Sequence, residues 1–371
     1  MKKALSILLA VLIVSALIPG ALATDSSGLQ QLINNTAVGG TLELNANYTL
    51  TDTVTINKNI TIVGNNFSVT GASGKHTFEI ENDATNVTIS NLTINASGDG
   101  YGILAYGKNL TLNNCTINAV KRGVTFWPTS NQGATFTLND TFIYNSSITD
   151  YDNSAKYGDY RGISVSNLKG GTVDINGGGI FGFGYSINAV ADDVAGVRDG
   201  ANTQYYIDNA VIKGWTALNV WTANTDFTFT NCTLVGINSL EGEYNGFSTI
   251  KVNDGIYGNN QADASVIEFV GGSLTAVRSA GATQSVINVD NTRQTEFVFS
   301  PYVNAGEEFL VDIYYYDVNN PIEGVYYLNV WNFYYGTSDA DANNYVEAQL
   351  GYPDNCTFTA GSITDYTTSL S

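Results

Sequence analysis

LTLNNCTI, residues 110 to 117, returns as FTFTNCTL at residues 227 to 234, with a cysteine in the same slot. As an eight-residue template the phrase places apolar or small side chains at positions 1, 3, 6 and 8. The same template fits VTISNLTI (87 to 94), FTLNDTFI (136 to 143), VDINGGGI (173 to 180), YYIDNAVI (205 to 212) and IEFVGGSL (267 to 274). Alternation with period two marks each half as a strand, and the two middle residues, often including Asn, break the phase between them. Each phrase therefore reads as strand, corner, strand.

A third alternating segment accompanies most copies: YGILAYG (101 to 107), RGVTFW (122 to 127), RGISV (161 to 165), YSINAV (185 to 190), TALNVW (216 to 221), FSTIKV (247 to 252) and SVINV (285 to 289). Three strands per repeat, with corners that tolerate insertions, predict an all-β parallel β-helix, a three-sheet solenoid. One such repeat cannot bury its inward side chains alone, whereas stacked repeats turn each inward position into a column. Leu112, Leu138, Ile175 and Ile207 are expected to line up in one such column. Position 6 should stack as Leu92, Cys115, Thr141, Gly178, Ala210, Cys232 and Gly272, a corner of small residues. Cys115 and Cys232 are then four repeats apart, about 19 Å at the ~4.8 Å strand spacing and beyond disulfide reach, so both thiols are expected to be buried and free.

The ends differ from the middle. Residues 1–23 read as a secretion leader: Lys2 and Lys3, an apolar run, then Ala21-Leu22-Ala23. DSSGLQQLINN (25 to 35) has Leu29, Leu32 and Ile33 at helical spacing behind an Asp/Ser cap, as expected of a short helix covering an open solenoid end. The solenoid is assigned to residues 24–304. Residues 305–371, dense in aromatics, read as a β-rich closing cap, with a small carbohydrate-binding module as the alternative. SDADANN (338 to 344) spaces its acids like the start of a calcium loop, but it lacks the sixth-position Gly, and Leu350 stands where the bidentate Glu belongs.

The chain carries 15 Lys+Arg against 34 Asp+Glu, a formal net charge of −19, and it loses Lys2 and Lys3 with the leader. Such a surface repels phosphate backbones and anionic membranes, so nucleic acid is excluded as a partner. The leader's apolar core is too short to span a bilayer, and no later stretch is long and apolar enough. A secreted monomer, without membrane insertion, is expected.

The order of a short capping helix, a TLEL strand (41 to 44), INKNITIVG (56 to 64) and then N-x-T repeats resembles the secreted right-handed β-helix proteins of the pectate-lyase-like superfamily. It is closest in style to adhesin-like surface proteins. The resemblance covers residues 25 to 305 and implies fold more than function, because this architecture hosts lyases, hydrolases and non-enzymes. It implies a secreted or surface-attached protein that binds a polysaccharide or cell-envelope glycan, with no hydrophobic tail before Ser371 to anchor it.

Polysaccharide-cleaving members work on the outward face of one sheet. Here the outward third-strand residues include Ser164, Asn188, Asn219 and Lys251, edged by Trp127, Trp221 and Asn253. Hydroxyls, amides and flat rings suit sugar binding, while a plain solvated sheet face is the simpler alternative. A hydrolase needs two facing carboxylates, which this stripe lacks. A lyase would draw a base from Lys251 beside Asp254, or from Arg161 or Arg198 beside Asp192 and Asp193, with calcium as an accessory ion. No cofactor is otherwise expected, and a non-catalytic protein that binds glycans or serves as an adhesin-like envelope scaffold is the leading expectation, with a polysaccharide lyase or glycoside hydrolase acting on an acidic polysaccharide as the alternative. His76 reads as a turn residue.

Overall fold

The computed structural model describes residues 24–147, 159–192, 198–238, 249–252 and 265–278, followed by the backbone of strands Ile287–Asp290, Glu296–Ser300, Tyr302–Asn304, Glu307–Phe309, Asp312–Asp317 and Trp331–Phe333. Residues 1–23 and 148–158, together with Asp193, Asn253, Asp254, Cys356 and SDADANN, lie outside the described residues.

Among the described residues the structure is mostly β, with one helix, and its two large sheets are parallel throughout. Each strand pairs with its counterpart one repeat earlier and one repeat later. The first half of every template phrase joins a ten-stranded sheet. Within it Ile62, Ile89, Leu112, Leu138, Ile175, Ile207, Phe229 and Phe269 are consecutive in-register partners, all buried. The second halves form another such column, running Ile94, Ile117, Ile143, Ile180, Ile212, Leu234 and Leu274. The third segments form the last, running Ile103, Val124, Ile163, Ile187, Leu218 and Ile250. This repeating parallel architecture is consistent with a β-helix, and the three inner columns converge on one continuous core.

The corner explains why Asn recurs in the phrase. Position 5 has positive φ in every copy: Asn91, Asn114, Asp140, Gly177, Asn209, Asn231 and Gly271. Asn and Asp tolerate this left-handed conformation better than other residues with a Cβ, and Gly adopts it freely. Adjacent corners also bond to each other, with the Asn114 amide donating to Asn91 Oδ1 at 2.8 Å and Asn231 repeating the contact to Asn209.

Position 6 explains the cysteines. The Cys115 thiol donates to the Ile89 carbonyl at 3.4 Å, the Thr141 hydroxyl to that of Leu112 at 3.2 Å, and the Cys232 thiol to that of Ile207 at 3.1 Å. Each small donor reaches back one repeat to a buried acceptor. Both cysteines are buried and unpaired, and burial pushes their thiols up to about 11 and about 12 respectively. A raised acid pKa means that the folded protein holds the proton more tightly. Stability is therefore complete below about pH 9 and declines as the pH rises towards 11 or 12. The double variant Cys115→Thr, Cys232→Thr, which keeps a donor in both slots, should show a shallower loss of stability in urea titrations from pH 8 to 10.5. Parallel curves would refute this.

The helix Ser26–Asn35 closes one end as expected. Asp25 caps it by accepting from the Gly28 N–H, and Leu29 and Ile33 are fully buried against the first repeat. Gln30 bonds the otherwise open strand Val54–Ile56 twice, donating to the Thr55 carbonyl and accepting from its N–H at 2.7 Å. Satisfied backbone groups no longer template an incoming strand.

Three features depart from the sequence reading. Gly179–Val190 and Val211–Trp221 each run as one strand through two columns. Gly182, at φ 84°, marks the register shift between Phe181 and Phe183, a bulge that lets the strand continue from one column into the next. Residues 199–204, which fall between the repeated phrases, belong to the strand Asp199–Asp208, which bulges at Ala201 and Asn202. Parallel pairing also continues past residue 304: Ser273–Arg278 pairs with Asp312–Asp317, and Asn288–Asp290 with Trp331–Phe333.

Candidate functional site

The outer face of the third column carries the candidate residues, arranged in three rows along the stack. The middle row runs in register from Glu79 through Leu104, Thr125, Ser164, Asn188 and Asn219 to Lys251. A solvent-facing polar stripe was expected there. Instead Thr125, Ser164, Asn188 and Asn219 are buried, each 3% exposed or less. They are rungs of an internal ladder: Asn219 Nδ2 donates to Asn188 Oδ1 at 2.8 Å, Asn188 Nδ2 to Ser164 Oγ at 3.1 Å, and Arg161 Nη1 to Ser164 Oγ at 3.4 Å. In-register donors and acceptors satisfy one another, which lets a polar row survive burial. Thr125 Oγ1 and Asn219 Oδ1 are buried without a hydrogen-bond partner. Lys251 is half-buried beside Asn219.

A second row lies at the far end of each strand. Trp127 directly follows the strand Arg122–Phe126, whose last residue pairs with Val165, and one residue on Ser166 pairs with Val190, which pairs with Trp221. The two indoles are 45% and 39% exposed and three repeats apart, about 14 Å at the usual strand spacing. Tyr106 lies near Trp127, with ring centroids 6.4 Å apart, and the Arg198 guanidinium sits 4.4 Å from the Trp221 ring centre.

The third row opens the strands: Tyr101, Arg122, Arg161 and Tyr185 are in-register partners. Arg122 lies over the Tyr101 ring at 4.8 Å. His76, read as a simple turn residue, packs on the other ring contact of this group, 4.4 Å from the Tyr101 centroid, and its Nδ1 accepts from the Tyr101 N–H. Burial lowers its pKa, Glu79 opposes that shift and Arg122 adds to it.

Arg161 and Asp192 do not come together: Arg161 opens its strand, whereas Asp192 follows the end of Gly179–Val190. Asp192 is exposed and tied to Asn167, accepting from the amide and donating its N–H at 2.6 Å to Oδ1. Extended strand geometry separates the two ends, which removes Arg161 with Asp192 as a base and carboxylate pair. Asp193, Asn253 and Asp254 lie outside the described residues. Among the described residues no three His, Cys, Asp or Glu side chains converge as metal ligands, and no helix is long and apolar enough to cross a membrane.

Sequence reasoning missed Arg122 and Tyr101 as site residues. The signal was present in the repeated YG, RG, RG openings at residues 101, 122 and 161, where the glycines also form a row of close contacts. A separate aromatic surface lies on the second column, where Phe142, Tyr144 and Phe181 stack with rings parallel to within 12°.

Comparison with protein-family models, curated proteins and solved structures gave no match.

Proposed function

We propose that this chain is a right-handed, three-sheet parallel β-helix of the pectate-lyase-like type, exported from the cell, which binds glycans on its third-sheet face without cleaving them. The observation that carries this reading is the pair of exposed tryptophans on one rigid row. Trp127 and Trp221 present flat apolar rings at a spacing fixed by the backbone ladder, and such rings stack on sugar faces. The buried Ser164, Asn188 and Asn219 ladder beneath them holds the strands in register and is assigned a positioning role rather than direct contact.

The test is a panel of neutral and acidic polysaccharides, offered with and without calcium, scoring both retention of the protein and release of unsaturated product. Retention without product is expected, weakened about tenfold by Trp221→Ala, the loss of roughly one good stacking interaction. Product formation that Lys251→Ala abolishes would replace this reading with a polysaccharide lyase.

A further inference from the structure

Charge is scarce in this protein and mostly negative, yet two of its arginines are placed next to each other. Arg122 and Arg161 are direct in-register partners on adjacent strands, so their backbones are about 4.8 Å apart. Neither reaches a carboxylate at ion-pair distance among the described residues. The Nε of each is buried without a hydrogen-bond partner. Asp159 acts on Arg161 only at longer range, and burial together with the like charge of Arg122 lowers the Arg161 pKa. Tyr101 and Tyr185 flank the pair, and His76 packs against the Tyr101 ring without supplying negative charge. Both residues are half-buried, and two adjacent guanidinium groups with no carboxylate at ion-pair distance among the described residues are costly. Guanidinium forks also match planar and tetrahedral oxyanions geometrically.

We propose that Arg122 and Arg161 together form a site for one oxyanion, a carboxylate or sulfate group carried by an acidic sugar. The sugar as the source of the anion rests on the glycan-binding reading; the anion site itself does not. Arg122 and Trp127 are about 16 Å apart along an extended strand, so a glycan stacked on Trp127 would have to run along the strands, and the acidic substituent at the arginines would belong to a sugar further along the chain than the stacked one.

Two measurements test the proposal on the whole chain. The first compares thermal stability in sodium sulfate and in sodium chloride at equal ionic strength, for the wild type and for Arg122→Gln, Arg161→Gln and Arg161→Met. The wild type should gain more from sulfate than the variants do, which separates site binding from the general stabilising action of sulfate. Arg161→Met should also be at least as stable as the wild type in chloride, because removing a half-buried charge repelled by Arg122 outweighs losing the long 3.4 Å bond to Ser164, whose hydroxyl keeps Asn188 as a partner; a structural arginine would give the opposite. Equal sulfate gains in all four proteins would overturn the site.

The second measures binding of a cello-oligosaccharide, its C6-carboxylate derivative and its C6-sulfate derivative. The charged forms should bind about tenfold or more tightly than the neutral one, and Arg161→Gln should abolish that margin. The carboxylate and sulfate arms identify which group is preferred. Neutral and charged forms binding alike would overturn the sugar as the anion source while leaving glycan binding intact. Sulfate stabilisation without any oligosaccharide binding would uphold the anion site and refute the glycan reading.

Discussion

Leu138→Ala is expected to lower the free energy of unfolding by about 2–5 kcal/mol, the range for emptying a fully packed leucine site. Leu138 is buried, with Leu112 and Ile175 as its in-register partners above and below. In a stack where each repeat contacts only its neighbours, that loss falls on one interface instead of being shared across the core. Unfolding should then separate into two transitions, one on each side of the defect. Trp127 reports the segment before Leu138, and the fully buried Trp215 reports the segment after it. Urea titrations of single-tryptophan variants would therefore diverge in Leu138→Ala and coincide in the parent. Coincident transitions with a loss below about 1 kcal/mol would show that the column is not continuous at this point.

Gly162→Ala is expected to be as damaging, through excess volume rather than a cavity. A Cβ at residue 162 would lie 2.2 Å from Ile180 Cγ2 and 2.6 Å from the Ser186 carbonyl oxygen. The carbonyl is backbone and the isoleucine belongs to the second inner column, so neither can withdraw without disturbing the stack. Gly123 repeats this geometry one rung earlier, its Cβ position 2.3 Å from Ile143 Cγ2 and 2.6 Å from the Gly162 carbonyl oxygen. The third strand can turn inward here only because these positions lack side chains. The cost should reach or exceed the upper end of the about 1–3 kcal/mol typical of overpacked cores. Ser166→Ala, on the same strand but half-buried, should change stability by no more than about 0.5 kcal/mol. Thermal unfolding of the two variants side by side would decide the matter, and equal midpoints would refute the close-packing argument.

The fold was legible in the sequence because its determinants are local and repeated. Period-two alternation separated the inward from the outward side chains of each phrase, and recurrence at matching positions implied the columns in which Leu112, Leu138, Ile175 and Ile207 now stand. Asn at position 5 announced the left-handed corner, and Asp25 with Leu29 and Ile33 announced the capping helix. The candidate site was legible only in part. Trp127 and Trp221 are exposed on one row, as the alternation implied. Arg122 was overlooked because its partner Arg161 is far from it in sequence, and only the register brings the two together.

Taken alone, the chain's repeated pattern determined which side chains face inward, where the corners fall and that its two central cysteines are free, because each of these follows from the geometry of a few adjacent residues. Tertiary structure alone decided that Ser164, Asn188 and Asn219 are buried, that Gly182 bulges a continuous strand, and that two arginines meet with no carboxylate at ion-pair distance among the described residues. Those outcomes depend on what lies across or one repeat away, and alternation along a strand tells its two faces apart without revealing what covers either of them.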